Sequence, residues 1–154
     1  MSSTLTAYIT IVCVSAVLNL LLTVYVIAKR NLYGRISTFF ILSVGATTVY
    51  CFAYAFSLTS STLEQLRFWS VMQYIGMPFA PPLGMLFVLH YLGHKLSGWR
   101  IAAMLTIPSV SLLSNATNEW HHLHYKSYRI HEMLGATYND IEVGPTYIVM
   151  GCYI

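Results

Sequence analysis

The sequence predicts an all-α membrane protein, a polytopic helical bundle of four spans plus the start of a fifth, with an outer β-hairpin loop between helices 4 and 5. Three observations predict it. Of the 154 residues, 56% are hydrophobic and only 8% are charged, whereas a soluble domain carries about a quarter charged residues. The apolar residues gather in runs long enough to cross a bilayer, which takes about 20 residues at a rise of about 1.5 Å each. The cations fall between the runs, so the net charge of +3 follows membrane topology and is no nucleic-acid footprint.

The first run, residues 5–28, is uncharged and is followed by Lys29 and Arg30. A cleaved leader has basic residues before its apolar core, so this order reads as an uncleaved span inserted N-terminus outward. Ser15, Asn19 and Thr23 recur every four residues. That spacing puts them on one face, where helix packing through hydrogen bonds to a neighbouring helix, on the order of 1 kcal/mol each, is expected. The second run, residues 36–58, repeats the pattern with Ser43 and Thr47 and adds Thr48 and Tyr50.

The third run, residues 68–91, holds a small-residue stripe, Gly76, Ala80 and Gly84, interleaved with Pro78, Pro81 and Pro82. The stripe allows close helix packing, and each proline removes a donor from the backbone ladder, so the helix is expected to be kinked. Gly76, Pro78, Pro81 and Pro82 are the candidate conformational hinge, with a static bend as the alternative. The fourth run, residues 101–114, is shorter and more polar. The fifth, residues 146–154, stops after two turns with nothing to end it, which reads as a chain cut within a span; residues 1–154 are one transmembrane region.

The connections at 29–35 and 92–100 contain Lys29, Arg30, Arg35, Lys95 and Arg100 and no acid. The other segments hold all five acids, Glu64, Glu119, Glu132, Asp140 and Glu142, against Arg67, Lys126 and Arg129. The positive-inside bias therefore also places the N-terminus outside, and Trp69, Trp99 and Trp120 lie near span ends where an indole suits the headgroup level. The long connection from about residue 115 to 145 has a turn-rich middle, Leu134, Gly135 and Ala136, between two stretches rich in β-type residues. Residues 125–130 and 136–143 are the expected strands. Cys13, Cys51 and Cys152 all fall in apolar runs and define no disulfide.

Candidate ligand contacts are Trp69, Gln73 and Tyr74 at the outer end of the third helix, with Trp120 and His122 of the outer loop. Aromatic rings with a few polar groups suit a small amphipathic ligand, and an interfacial aromatic belt gives the same composition. His121, His122 and His124 offer imidazoles for a metal, but no cysteine completes a zinc set, and after His131-Glu132 the position for a second histidine is Gly135. No metal and no cofactor is assigned. The runs contain no Asp, Glu, Lys or Arg within the four spans, which weakens proton-pump and retinal-pigment readings. No nucleophile elbow, phosphate loop or paired carboxylates point to catalysis. Asn115-Ala116-Thr117 matches a glycosylation sequon, a short pattern that arises often by chance.

One set of residues carries a resemblance. Phe68-Trp69, Gln73-Tyr74-Ile75-Gly76, Pro78, Pro82, Phe87 and Tyr91-Leu92-Gly93 resemble the third helix of the N-terminal seven-transmembrane region of bacterial histidine kinases, a region whose relatives also precede diguanylate cyclases. Thr117-Asn118, His121-His122-Leu123 and Gly144-Pro145 before Tyr147 look like that family's outer loop. The resemblance implies seven helices in the bacterial cytoplasmic membrane, N-terminus outside and C-terminus inside, leading to cytoplasmic output modules. It implies a sensory input region without an active site of its own, in a full-length kinase or cyclase that works as a homodimer. Membrane lipids and an unknown small ligand are its expected partners, and nucleic acid is not. The rival readings are a small-molecule transporter or channel subunit, and a His-rich metal-binding membrane protein.

Overall fold

The structure is a computed structural model that describes residues 3–29, 36–133 and 136–153. In chain order the elements are α1 (Ser3–Ala28), α2 (Ile36–Thr59), α3 (Leu63–Gly76), α4 (Ala80–Tyr91), α5 (Gly98–Ala116), the short α6 (Asn118–His121), β1 (Tyr125–Met133), β2 (Ala136–Val143) and α7 (Pro145–Tyr153). Among the described residues, three helical stretches are long and apolar enough to cross a membrane: Thr6–Ala28, Ser37–Thr59 and Leu63–Tyr91. The third joins α3 to α4. The expected fourth span corresponds to α5, whose 19 residues include Arg100, four hydroxyl side chains and Asn115, a polar content that keeps it out of this set.

Apolar surface points outward. On α1, Ile11, Leu18, Leu21 and Val24 are exposed, whereas Ala16 and Val26 are buried. A soluble helix would reverse this, and the arrangement is stable where hydrocarbon replaces water. Ser15, Asn19 and Thr23 lie on the less exposed side of α1. Their hydrogen bonds correct the sequence expectation: each side chain donates to a carbonyl of its own helix one turn back, Ser15 to Ile11 at 2.9 Å, Asn19 to Ser15 at 2.9 Å and Thr23 to Asn19 at 2.8 Å. Short polar side chains reach that carbonyl without leaving the helix, which satisfies them in a bilayer whether or not a partner is near.

The hub is α2, which packs against α1, α3 and α4. Rings knit the contacts: Tyr54 meets Tyr8 through their hydroxyls at 3.0 Å, Phe40 faces Phe87 at 5.0 Å between centroids, and Phe56 stacks on Trp69 at 4.7 Å. On the α3 side, Gly76 lies so close to α2 that a Cβ there would fall on the Ala46 carbonyl oxygen.

The long third stretch begins at Leu63, five residues before Phe68. Thr62 caps it by accepting from the Gln65 N–H at 3.3 Å, while the Gln65 side chain accepts from the Ser61 N–H at 3.2 Å, a version of the capping box. The expected kink is a break. The last regular bond of α3 runs from the Met77 N–H to the Gln73 carbonyl at 2.8 Å, a tight turn follows from the Phe79 N–H to Gly76 at 3.2 Å, and the ladder resumes from the Leu83 N–H to Phe79 at 3.1 Å. Pro78 sits at the break and is fully buried. Pro81 and Pro82 lie in the first turn of α4, where helix geometry needs no N–H donor, so they open a second helix rather than distort one. Across the gap the Ser43 hydroxyl donates to the Ala80 carbonyl at 2.9 Å.

The two strands pair antiparallel, with Arg129 opposite Asp140, Ile130 opposite Asn139 and an irregularity between Tyr125 and Ser127. β2 covers the expected 136–143, and β1 runs on to Met133, beyond the expected residue 130. Of the predicted turn, Leu134 and Gly135 lie outside the described residues, as do Arg30 and Arg35 of the basic connection and Ile154 of the fifth run.

Candidate functional site

At one end of the bundle the start of α3, the end of α5, α6, the feet of the hairpin and the start of α7 come together around buried polar groups. Asn118, 3% exposed, organises them. Its Oδ1 accepts from the His124 N–H at 2.8 Å and the Tyr125 N–H at 3.0 Å, and its Nδ2 donates to the Tyr125 carbonyl at 2.8 Å. An asparagine side chain thus stands in for a strand partner where the chain leaves α6 for β1. The returning chain closes on the same point: the Gly144 N–H donates to the His124 carbonyl at 2.8 Å and the Thr146 N–H to Leu123 at 3.2 Å. Gly144 is required here, because a Cβ would overlap the Leu123 carbonyl.

His124 is completely enclosed. Its ring meets Tyr74 edge to face at 4.6 Å, Tyr125 at 4.6 Å and Tyr147 at 5.7 Å. Its tautomer follows from its partners. The Thr146 hydroxyl donates to the Leu123 carbonyl at 2.8 Å and lies 3.0 Å from Ser114 Oγ, so it can only accept from His124 Nδ1, 3.2 Å away. Nδ1 carries the proton, and Nε2 is a bare acceptor.

Burial, reinforced by nearby His121, holds the His124 imidazole well below its ordinary 6.5, down to about 4. The unfolded chain therefore binds the extra proton first. The contribution to stability of this cluster around Asn118 and His124, the latch, is complete above pH 6.5 and is lost progressively as pH falls toward 4. Melting temperature of the purified protein in detergent is expected to fall between pH 6.5 and 5, with the slope reduced in His124→Phe. Equal slopes in the two proteins would contradict this account.

Beside the latch, α3 and the α5–α6 corner border a half-open pocket of ≈ 420 Å³. Phe68, Val71 and Ala116 are its apolar lining, and Glu64, Arg67, Asn115, Asn118 and Glu119 its polar lining. Arg67 bonds Glu119 at 2.7 Å, tying α3 to α6. The Asn115 Nδ2 donates to the Ser70 carbonyl at 3.3 Å; at 4% exposure this sequon asparagine is a structural side chain.

Of the residues singled out by sequence, Tyr74 belongs to this cluster. Trp69 stacks on Phe56 and edges Phe68, Gln73 is half-buried outside the cavity lining, and Trp120 is 85% exposed. His122 is exposed and takes the left-handed backbone (φ 51) that ends α6. The three loop histidines diverge. His121 accepts from the Leu123 N–H at Nδ1 (3.0 Å) and lies 2.9 Å from Thr117 Oγ1 through Nε2, whereas His124 is sealed in the latch. Among the described residues, no group of three His, Cys, Asp or Glu is placed to hold a metal. Sequence reasoning missed Arg67, Ser114, Asn115, Asn118, Glu119 and Thr146 as site residues.

Against known proteins, the family described as the N-terminal 7TM region of histidine kinase matches residues 11–154. No curated protein and no solved structure matches the chain.

Proposed function

Because the chain belongs to the family of N-terminal seven-transmembrane regions of histidine kinases, we propose that it receives an extracellular or membrane-dissolved signal at the latch end and passes it to cytoplasmic output modules. In this reading the protein sits in the bacterial cytoplasmic membrane with its N-terminus and the latch outside. α5 then serves as a fourth span, and the full-length protein works as a homodimer. The positive-inside distribution of Lys and Arg supports the orientation.

One observation carries the reading: the outer half of the long third stretch is fastened to the latch, and its helix is interrupted by a turn at residues 77–79 before the inner half begins. Arg67, Ser70 and Tyr74 of α3 all engage the α5–hairpin cluster. On the other side of the break, α4 is held to α2 through Ser43. A signal that alters the latch moves α3 against α4 at the turn formed by residues 77–79. It can do so only to the extent that it binds one arrangement more tightly than the other.

Pro78→Ala tests this. Restoring a backbone donor where proline disfavours a continuous helix by about 3 kcal/mol is expected to favour the joined helix and change basal autophosphorylation of the full-length protein about tenfold. Membrane insertion and melting temperature are expected to hold or rise. Wild-type autophosphorylation in a correctly inserted variant would remove the break from the mechanism.

A further inference from the structure

At the end of the bundle opposite the latch, three helix ends leave a space between them. α1 and α4 both pack against α2, and together the three border a half-open pocket of ≈ 440 Å³, a volume in the range of small-ligand sites. Leu22, Tyr25 and Val26 of α1, Phe40 of α2, and Phe87 and Tyr91 of α4 give it an almost wholly apolar lining.

The flanks of this pocket are cationic. Lys29 follows Tyr25 by one turn, with its N–H bonded to the Tyr25 carbonyl at 3.1 Å. The steps from Leu22 to Val26 to Lys29 keep it on the face of α1 that lines the pocket. Past Tyr91, α4 ends in a Schellman turn. There the His94 N–H donates to the Leu89 carbonyl at 2.9 Å and the Gly93 N–H to His90 at 3.0 Å, with Gly93 in the left-handed backbone (φ 83). The turn stops the helix and places Lys95 four residues beyond Tyr91. Ser37, in the first turn of α2, also lines the pocket, which brings the positive end of that helix to the same place. Lys29 and Lys95 are exposed, and among the described residues neither has an acidic partner. The connections at 29–35 and 92–100 contain no acid at all.

An apolar slot flanked by unpaired cations fits an apolar chain that ends in an anion. A second copy of this chain seated there would set the same lysines against each other, and a further membrane helix ending on this side brings cations of its own as a rule. We infer that the pocket binds an anionic phospholipid, with one acyl chain between α1 and α4 and the phosphate diester held by Lys29 and Lys95. Tyr25 and Tyr91 stand where chain gives way to headgroup, a level that suits an amphipathic ring. The site lies away from the latch and does not depend on the sensory reading.

The test uses the full-length protein in detergent, stripped of lipid and titrated with dioleoylphosphatidylglycerol or dioleoylphosphatidylcholine, with binding read by native mass spectrometry. One phosphatidylglycerol is expected to bind at least tenfold more tightly than phosphatidylcholine. Lys29→Gln combined with Lys95→Gln is expected to weaken phosphatidylglycerol about twentyfold and to leave phosphatidylcholine unchanged. Both positions are exposed, and Arg30, Arg35 and Arg100 preserve the charge bias that sets topology. Lys126→Gln, at an exposed lysine of β1, is expected to change neither lipid. Leu22→Trp, which fills the pocket from an exposed position, is expected to lower the binding of both. Equal affinity for the two lipids, wild-type affinity in the double lysine variant, or an equal loss in Lys126→Gln overturns the inference. So does an unchanged site in Leu22→Trp, or the absence of any saturable site because a later helix or a second copy fills the pocket.

Discussion

Asn118→Ala is expected to detach the hairpin from the helices at a loss of about 3 kcal/mol or more. Three hydrogen bonds of 2.8–3.0 Å disappear with one side chain, and all of them end on backbone groups of His124 and Tyr125. Both residues are buried, His124 at 0% and Tyr125 at 5% exposure. Their N–H groups thus lose an acceptor in a place that water does not reach, and a buried donor so stranded costs roughly 1–3 kcal/mol. Asn118→Asp separates the two halves of the contact. It keeps an oxygen for the two N–H groups but loses the donation to the Tyr125 carbonyl, so an intermediate loss is expected. Limited proteolysis of residues 125–143 in nanodiscs, with thermal unfolding in detergent, reads the effect. The damage is expected to stay local, because the three long helical stretches are held by contacts to α2 and not by Asn118. Protease resistance and melting equal to wild type in Asn118→Ala would refute the latch.

The fold was legible because it rests on features with strong local signatures. Uncharged apolar runs mark α1 and α2, three prolines within five positions mark the interruption between α3 and α4, and β-type residues on either side of a turn-rich middle mark the hairpin. The site was much less legible. Arg67, Asn118, Glu119 and Thr146 are ordinary polar residues at unremarkable spacings, and what gathers them is the packing of α3 beside α5, which no period in the sequence encodes. Trp69 and Trp120 lie outside the polar cluster, and an indole at a span end is explained equally by a headgroup contact or by a ligand. The resemblance came nearer than composition did: Asn118, Leu123, Gly144 and Tyr147, which carried its outer-loop part, all meet at His124. The histidines show the same limit. Their clustering in sequence offered imidazoles to a metal without completing a ligand set, and the left-handed turn at His122 sends His121 and His124 to different surroundings.

Gly76→Ala is expected to be among the most damaging single-methyl changes in this chain, at about 3 kcal/mol, the upper end for overpacking. The added Cβ would overlap the Ala46 carbonyl oxygen and come within 2.8 Å of the Tyr50 nitrogen and 3.0 Å of Tyr50 Cβ. The oxygen and nitrogen belong to the backbone of α2, so no side-chain rotation relieves the clash, and α2 and α3 must move apart. In a bilayer the lipid competes equally for apolar surface, and close backbone approach supplies much of what holds two helices together. Two other glycines provide the comparison. Gly45 on α2 has nothing within 4 Å of an added Cβ, and at Gly84 the nearest atom is the Ser43 hydroxyl at 3.4 Å. Gly45→Ala is therefore expected to stabilise slightly through helix propensity, by up to about 1 kcal/mol, and Gly84→Ala to be nearly neutral. Unfolding of the three variants in mixed detergent ranks them directly. If Gly76→Ala unfolds with Gly45→Ala, the α2–α3 contact is not set by backbone approach. If it unfolds early, as expected, the signalling role proposed above requires the same displacement of α3 on the latch side of the break to change the output of the full-length protein.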